Sequence, residues 1–342
     1  MTEITVRGAG IFGLSIAWAC SELGARVQIV DPKGVGGGAS GGIVGAMAPH
    51  VPENWTFKKA FQFNSLVAAK GFWDKIEDIS GTSSGYARLG RIQPVLDSSS
   101  LELAHKRAET AKNLWRGLAD WRVTTQKPEW APTSPTGHWI IDTLTARINP
   151  MRACRAIEAA LLAKGITVTP EAKDKGKVLW ATGTHDLFHI SRELGKNFGN
   201  GVKGQAVLFE LDRRHQPQIF AEALHFVPHE DGTLAIGSTS ERDYETENFV
   251  DDQLESLIAK ASRIMPELAS AKIIARWAAL RPRCRSRSLV LGHHPVRKGA
   301  FIANGGFKIG FGMAPGLATI MANLMLEDRD EIPEAFRPET CL

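Results

Sequence analysis

Residues 4–31 read ITVRGAGIFGLSIAWACSELGARVQIVD. ITVR is a short β run. GAGIFG (8–13) starts a helix carrying Leu14, Ala17, Trp18 and Leu23, and Gly24 ends it. RVQIV (26–30) is the second strand, with Asp31 at its C-terminal end. In such a unit Gly8 permits the tight turn, Gly10 lets a pyrophosphate approach the backbone, and Gly13 lets helix and strand pack closely. Asp31 is then placed to accept hydrogen bonds from an adenosine ribose. GxGxxG alone is weak evidence. Between a strand and a helix, with an acid closing the next strand, it predicts a dinucleotide-binding βαβ unit.

A second glycine-dense run follows at 36–50, GGGASGGIVGAMAPH. A nicotinamide-binding domain needs only the first. A flexible linker would combine glycine with serine and lack apolar residues, and Ile43, Val44 and Met47 argue against that reading.

Size and composition narrow the class. A chain of 342 residues suits two domains of ordinary size, and 43% hydrophobic with 23% charged residues is a globular composition. No apolar run approaches the roughly 20 residues of a membrane helix. The N-terminus enters a strand without the basic and apolar segments of a signal peptide, which points to the cytoplasm. Cys20, Cys154, Cys284 and Cys341 are scattered without CxxC spacing, so neither a disulfide framework nor a metal site is expected. A net charge of +4 is too mild to argue for nucleic acid.

Further along, 57–78 reads as a helix with Phe57, Phe61, Phe72 and Ile76 towards a core, 86–96 as extended, and 101–121 as a helix with Leu101, Ala104, Ala108, Leu118 and Trp121 on one side. Asn149 and Pro150 form an N-cap and first helical residue, closed by Lys164-Gly165. ITVTP (166–170) and KVLWATG (177–183) are strands, and 202–240 is a run of strands and turns that predicts a mostly antiparallel sheet. A helix at 251–263, an arginine-rich strand RPRCRSRSLVLG (281–292) and a loop feeding a helix near Pro315 complete the chain. Nucleotide-binding elements thus open the chain, return near 150–185 and return again at the end.

Taken in order, GAGIFG with Asp31, GASGGIVGAMAP (38–49), ATG (181–183), KGQ (203–205), ALRP (279–282) and GGFKIGFGMAP (305–315) resemble the D-amino-acid oxidase and glycine oxidase family of FAD enzymes. The similarity spans nearly the whole chain. It implies an α/β fold: an FAD-binding Rossmann-like domain of the glutathione-reductase type (1–85, 145–200 and 292–342), with an inserted substrate domain of mostly antiparallel β-sheet plus helices (86–144 and 201–291). FAD would be held non-covalently. Ile11, Phe12 and Pro32 join Gly8, Gly10, Gly13 and Asp31 at the dinucleotide. Gly38, Ala39, Ser40, Ile43, Val44 and Gly45 pass beside the ribityl chain and ring, where side chains would collide with the flavin. By the same resemblance Val168 contacts the adenine side, and Thr182 and Gly183 approach the cofactor. Gly305, Gly306, Phe307, Lys308, Ile309, Gly310, Phe311 and Gly312 form the last contact, with the helix N-terminus beyond aimed at the flavin N1 and C2=O. Lys308 adds a full charge where glycine oxidases carry arginine.

On the substrate side Arg281 falls where the family places the arginine that grips a carboxylate. Arg283, Arg285 and Arg287 follow at alternate positions and would share its side of a strand. Either Arg281 alone reaches the pocket, or the row lines an opening for a large anion, or it is an edge strand paired with acids. The chain departs there from glycine oxidases, so the resemblance does not carry glycine over as substrate. His225 stands where glycine oxidases have a tyrosine, as a donor, a proton acceptor near neutral pH or a satisfied core histidine. His50 is undecided. The implied activity is oxidation of the C–N bond of a small amino acid or secondary-amine acid by hydride transfer to flavin N5, with hydrolysis of the imine and return of electrons to oxygen or another acceptor. Two rivals stand: a carboxymethylaminomethyl-modified tRNA nucleoside as substrate, which the lack of a basic, aromatic platform disfavours, and a flavin-carrying subunit of a heteromeric dehydrogenase. A homo-oligomer is left open.

Overall fold

The computed structural model describes residues 2–342. Strands from three distant parts of the chain build one six-stranded sheet. Its order is Val290–His293, Phe301–Asn304, Lys177–Trp180, Glu3–Arg7, Arg26–Val30 and Val168–Thr169. All neighbours are parallel except the first pair. The crossover helix Ile11–Glu22 is apolar almost all round, with Phe12, Leu14, Ile16, Ala17 and Trp18 buried. A helix with no polar face has to be covered on every side. The sheet, the C-terminal helix Gly310–Glu327 and the helix Pro150–Leu162 provide that cover. Asn149 caps the last of these through Arg152 N–H (3.2 Å), with Pro150 in the first turn as the sequence requires.

The second sheet has eight strands, in the order Lys272–Cys284, Gly199–Glu210, Thr233–Gly237, Leu224–Pro228, Gln218–Ala221, Arg91–Pro94, Trp139–Asp142 and Trp121–Thr124. Every pairing is antiparallel except Gln218–Ala221 with Arg91–Pro94. Arg91 and Asp142 are cross-strand partners in register and form a buried ion pair, Nε to Oδ2 2.8 Å. Asp142 Oδ1 also accepts from Thr145 N–H at 2.8 Å.

Four local expectations change. The helix expected over 101–121 spans Ser98–Leu114, capped by Asp97, and stops where Arg116 and Gly117 turn left-handed (φ 51° and 69°). Trp121 begins a strand, and its ring meets Trp115 edge-on at 6.0 Å. Phe57, read as core-facing, opens its helix ahead of the buried stripe and is 86% exposed. The arginine-rich segment is not one strand: the ladder ends at Cys284 and Arg287 is left-handed at φ 58°. The last helix begins at Gly310, not near Pro315. Pro315 lies inside it, and the next amide, Gly316 N–H, bonds Ser65 Oγ (3.0 Å) on the helix Phe57–Ser80.

Asp142→Ala leaves the Arg91 guanidinium buried without its partner. It is expected to cost about 3–5 kcal/mol of unfolding free energy, read as a lowered denaturant midpoint. A loss below about 1 kcal/mol, the range of exposed pairs, would show that the pair does not hold the outer strands together.

Candidate active site

The first glycine loop is shaped by backbone contacts that exclude a side chain. Gly8 donates to Val30 C=O (2.9 Å) and has φ 109°, and a Cβ on it would lie 2.4 Å from Ala181 O. A Cβ on Gly13 would lie 1.9 Å from Gly8 O. Asp31 holds the turn in place, its Oδ2 accepting from Ala9 N–H at 2.7 Å and its Oδ1 from Lys33 N–H at 2.8 Å. Each carboxylate oxygen keeps lone-pair capacity for a further donor.

The second glycine run folds back over this loop. Gly36 N–H bonds Ala9 O (2.9 Å), and Ser40 Oγ accepts from Ile11 N–H (3.0 Å) at the start of the first helix. Its glycines serve different ends. Gly38 faces open space. Gly45 is forced by the protein itself, since a Cβ would lie 1.7 Å from Ile148 O.

A cavity of 680 Å³ runs between the two sheets. Asp31, Pro32, Gly8, Gly10, Ile11 and Phe12 line one end. Gly38, Ala39, Ser40, Val44 and Gly45 line the middle, with Thr182 and Gly183 opposite. Gly306, Phe307, Lys308, Gly310 and Phe311 close the far side beside Arg281 and His225. Six of the expected FAD contacts do not line it. Gly13 packs under Gly8, Ile43 turns its carbonyl to His229 Nε2 (2.8 Å), and Val168 pairs with Ile29 on the sheet edge. Gly305 packs on Cys284, Gly312 lies against Leu66, and Ile309 packs on the core at the head of the last helix. His50 does not line it either; its backbone N–H (2.8 Å) and its ring Nδ1 both meet Gln62 Oε1. Sequence reasoning missed Trp277, Phe220, Leu280 and Trp180, which wall the cavity with apolar surface. Trp277 had one indirect signal, the glycine at 42, where a Cβ would sit 3.3 Å from its ring.

Arg281 is the electrostatic centre of the far end. It is 7% exposed, forms no ion pair among the described residues, and makes one side-chain hydrogen bond, from Nη1 to Thr239 O (3.2 Å). Burial lowers its pKa to about 10, and the more distant Glu241 acts in the opposite direction, so it stays charged at neutral pH. The KGQ triplet explains how it fits. Lys203 and Gln205 point to one side of their strand and hold Asp251 (Nζ to Oδ2 2.6 Å; Nε2 to Oδ1 2.6 Å), and Gln205 also reaches Glu241 at 3.0 Å. Gly204 faces the opposite side, where a Cβ would overlap the Arg281 guanidinium at 1.8 Å.

Lys308 opens onto the same cavity. The surrounding walls, then Arg281 and Arg283, lower its pKa. His225 lies against Phe220 (centroids 4.6 Å), and its buried Nδ1 has no partner. Burial, with Arg91 and Lys308 adding like charge, pulls it down to about 3. It is therefore a neutral imidazole at physiological pH, not an acceptor poised near pH 7. Asp31 is the one acid on the cavity wall among the described residues, and it sits at the opposite end.

These residues fit FAD. The side-chain-free loop at 8–13 and Asp31 suit a dinucleotide, and the cavity continues past Gly38, Ala39 and Val44 far enough for a group longer than a nicotinamide. The sequence profile of the FAD dependent oxidoreductase family matches residues 3–324. A glycine oxidase of Pseudomonas aeruginosa is 28% identical, with 94% of each chain aligned. Among solved structures, glycine oxidase from Geobacillus kaustophilus superposes with a TM-score of 0.81 at 18% identity over 96% of each chain. Iminodiacetate oxidase from Chelativorans sp. BNC1 gives 0.83 at 18% identity over 98% of each. At those identities the structural likeness concerns the fold alone. The chain belongs to the FAD-dependent oxidoreductase family. It is an oxidoreductase with a mixed α/β fold, and its cofactor is FAD. No helix among the described residues is long and apolar enough to cross a membrane.

Asp31→Ala removes the acceptor of two backbone N–H groups and the predicted ribose contact. FAD titrated by fluorescence quenching is expected to bind about tenfold or more weakly, in line with loss of a hydrogen bond to a charged group; unchanged affinity would remove Asp31 from the dinucleotide site. With His225 at about 3, His225→Gln should leave the pH dependence of carboxylate-inhibitor binding unaltered between pH 5 and 8. A limb near pH 6.5 present only in the native protein would overturn that assignment.

Proposed function

We propose that this chain oxidises the C–N bond of an amino acid or secondary-amine acid whose carboxylate is held by Arg281. The observation that carries this reading is a buried guanidinium without an acidic partner, facing the same cavity as the dinucleotide loop. An unpaired charge buried in protein is costly. A substrate carboxylate would supply the missing partner through two parallel N–H···O bonds. The relatives named glycine oxidase and iminodiacetate oxidase act, by those names, on small amino or imino acids, which supports the same class here.

Within that reading the six-stranded sheet is the Rossmann-like, glutathione-reductase-type FAD-binding domain (1–85, 145–200 and 292–342). The eight-stranded sheet belongs to the substrate domain (86–144 and 201–291). Bound FAD supplies the hydride acceptor, and the resulting imine hydrolyses in water to an oxo acid and an amine. The chain itself contributes position and field. Arg281 orients the carboxylate, and Gly204 leaves the space in which the guanidinium lies. Lys308 adds positive charge at the same end, where it favours anionic ligands and charge developing nearby. Phe220, Trp277 and Leu280 keep the amine end in an apolar setting. His225, being neutral, adds no further cation beside Arg281.

Arg281→Ala is expected to retain FAD and its absorption spectrum while kcat/KM for the best amino-acid substrate falls about 10- to 150-fold, the worth of a lost charge-assisted contact. Gly204→Ala should give a loss in the same direction, because its Cβ claims the guanidinium's space. Anaerobic bleaching of the yellow protein by a panel of amino acids and secondary-amine acids reads both. Undiminished bleaching by Arg281→Ala would refute the carboxylate role.

A further inference from the structure

A second cavity, of 440 Å³, opens on the other side of Arg283. Its wall carries Arg242, Arg283, Arg285 and Arg287, with Asn200 and Tyr244 between them, and no Asp or Glu lines it. None of the four guanidiniums forms an ion pair or a side-chain hydrogen bond among the described residues, although the chain holds 37 acidic residues for 41 basic ones. Most surface arginines elsewhere find partners, Arg107 with Glu53 and Arg276 with Glu255 among them, and those without one, such as Arg26 and Arg122, do not cluster in a cavity. Arg242 comes from the segment after Thr233–Gly237, and the other three from the end of Lys272–Cys284 and the turn beyond it. The cluster is therefore assembled by tertiary structure.

Its geometry is fixed from behind. Arg285 N–H bonds Phe198 O (2.9 Å), Arg287 N–H bonds Cys284 O (3.0 Å), and Arg283 lies over the Phe307 ring at 5.2 Å. Like charges are held together at a cost: after burial, Arg287 and Arg242 are what lower the Arg283 pKa. A planar fork of N–H donors is suited to bidentate contact with phosphate or carboxylate oxygens.

We propose that this cavity is a binding site for a small, multiply charged anion of the diphosphate or polycarboxylate kind, separate from the dinucleotide cavity. Its concave shape and modest volume suit a compact ligand. Two aromatics line it, the exposed Phe188 and the half-buried Tyr244, which is too little for the stacking platform that single-stranded nucleic acid uses. The proposal does not rest on the oxidation chemistry, because the site can be tested without turnover. The anion has two possible sources, a free small molecule or the far end of an amino-acid substrate bearing a second anionic group. Phe307, which lines the dinucleotide cavity and carries Arg283 on its ring, is where the two spaces adjoin.

The test is calorimetric titration of FAD-saturated protein with inorganic pyrophosphate at low ionic strength, FAD keeping the dinucleotide cavity filled. A single site is expected, weakening steeply with added sodium chloride. The Arg285→Glu/Arg287→Glu double variant should weaken it at least about tenfold, the scale of lost charge-assisted bonds, with flavin spectrum and melting temperature unchanged. Arg242→Ala, on a different segment, should act in the same direction. Competition between pyrophosphate and an amino acid bearing a distal phosphonate would place the anion on the substrate, and its absence would assign a separate ligand. The site is refuted if pyrophosphate fails to bind at millimolar concentration, or binds equally well to the charge-reversed protein. An RNA oligonucleotide binding these arginines far more tightly than pyrophosphate would overturn the small-anion class.

Discussion

Three backbone approaches leave no room for a Cβ, and the cavity exists because of them. Gly8 lies against Ala181, Gly13 under Gly8, and Gly45 against Ile148. The first two seat the helix Ile11–Glu22 directly on the parallel sheet, so its N-terminal amides open onto the dinucleotide loop. The third locks the second glycine run to the segment preceding Asn149. Any side chain at these positions would have to move backbone, not a flexible side-chain tip. Close packing of this kind has no soft direction in which to relax.

With that frame fixed, the far end of the cavity can tolerate an arrangement that a stability-only protein would avoid. Arg281 is buried with one carbonyl contact, and its nearest acidic influence, Glu241, is already engaged by Lys203 and Gln205. Residues on the same strand therefore divide two tasks. Lys203 and Gln205 hold the acids on one side, while Gly204 on the other leaves space for a cation that no acid neutralises. Were Glu241 free to swing towards Arg281, the site would be neutral before any ligand arrived.

Much of this was legible in the residues. The GAGIFG turn, Asp31 and the Asn149-Pro150 cap carry local rules that tertiary context did not override. Arg281 and Lys308 were located by the resemblance of ALRP and GGFKIGFGMAP to the family's motifs, and both line the cavity. Two of the misreadings share a cause, which is that periodicity is blind to backbone handedness. Leu118 and Trp121 continue the spacing of their helix, yet Arg116 and Gly117 have already turned the chain. Arg285 and Arg287 continue a two-residue alternation past the point where the ladder stops. The glycine at 45 was readable as a glycine but not in its reason, because its neighbour Ile148 lies a hundred residues away. Phe220 had no signal and Trp277 only the distant glycine at 42, since apolar residues on strands look alike whether they face a core or a cavity.

The arginines at 281 and 283 show how two cations of one strand can be divided between two cavities. They are alternate residues on one strand and would be expected to enter the same space. Arg283 lines the smaller cavity instead and rests on the ring of Phe307 at 5.2 Å from the centroid, while Phe307 itself lines the main cavity. Its own amide bonds Pro282 O (3.1 Å), and its backbone is left-handed at φ 41°, an uncommon state for a bulky residue. That conformation carries a local strain which the surrounding packing has to sustain. Arg283 and Lys308 both lie over this ring, at 5.2 and 5.7 Å from its centroid. A ring face also stabilises the guanidinium laid on it. The strand thus presents Arg281 to the dinucleotide cavity and Arg283 to the smaller cavity beside it.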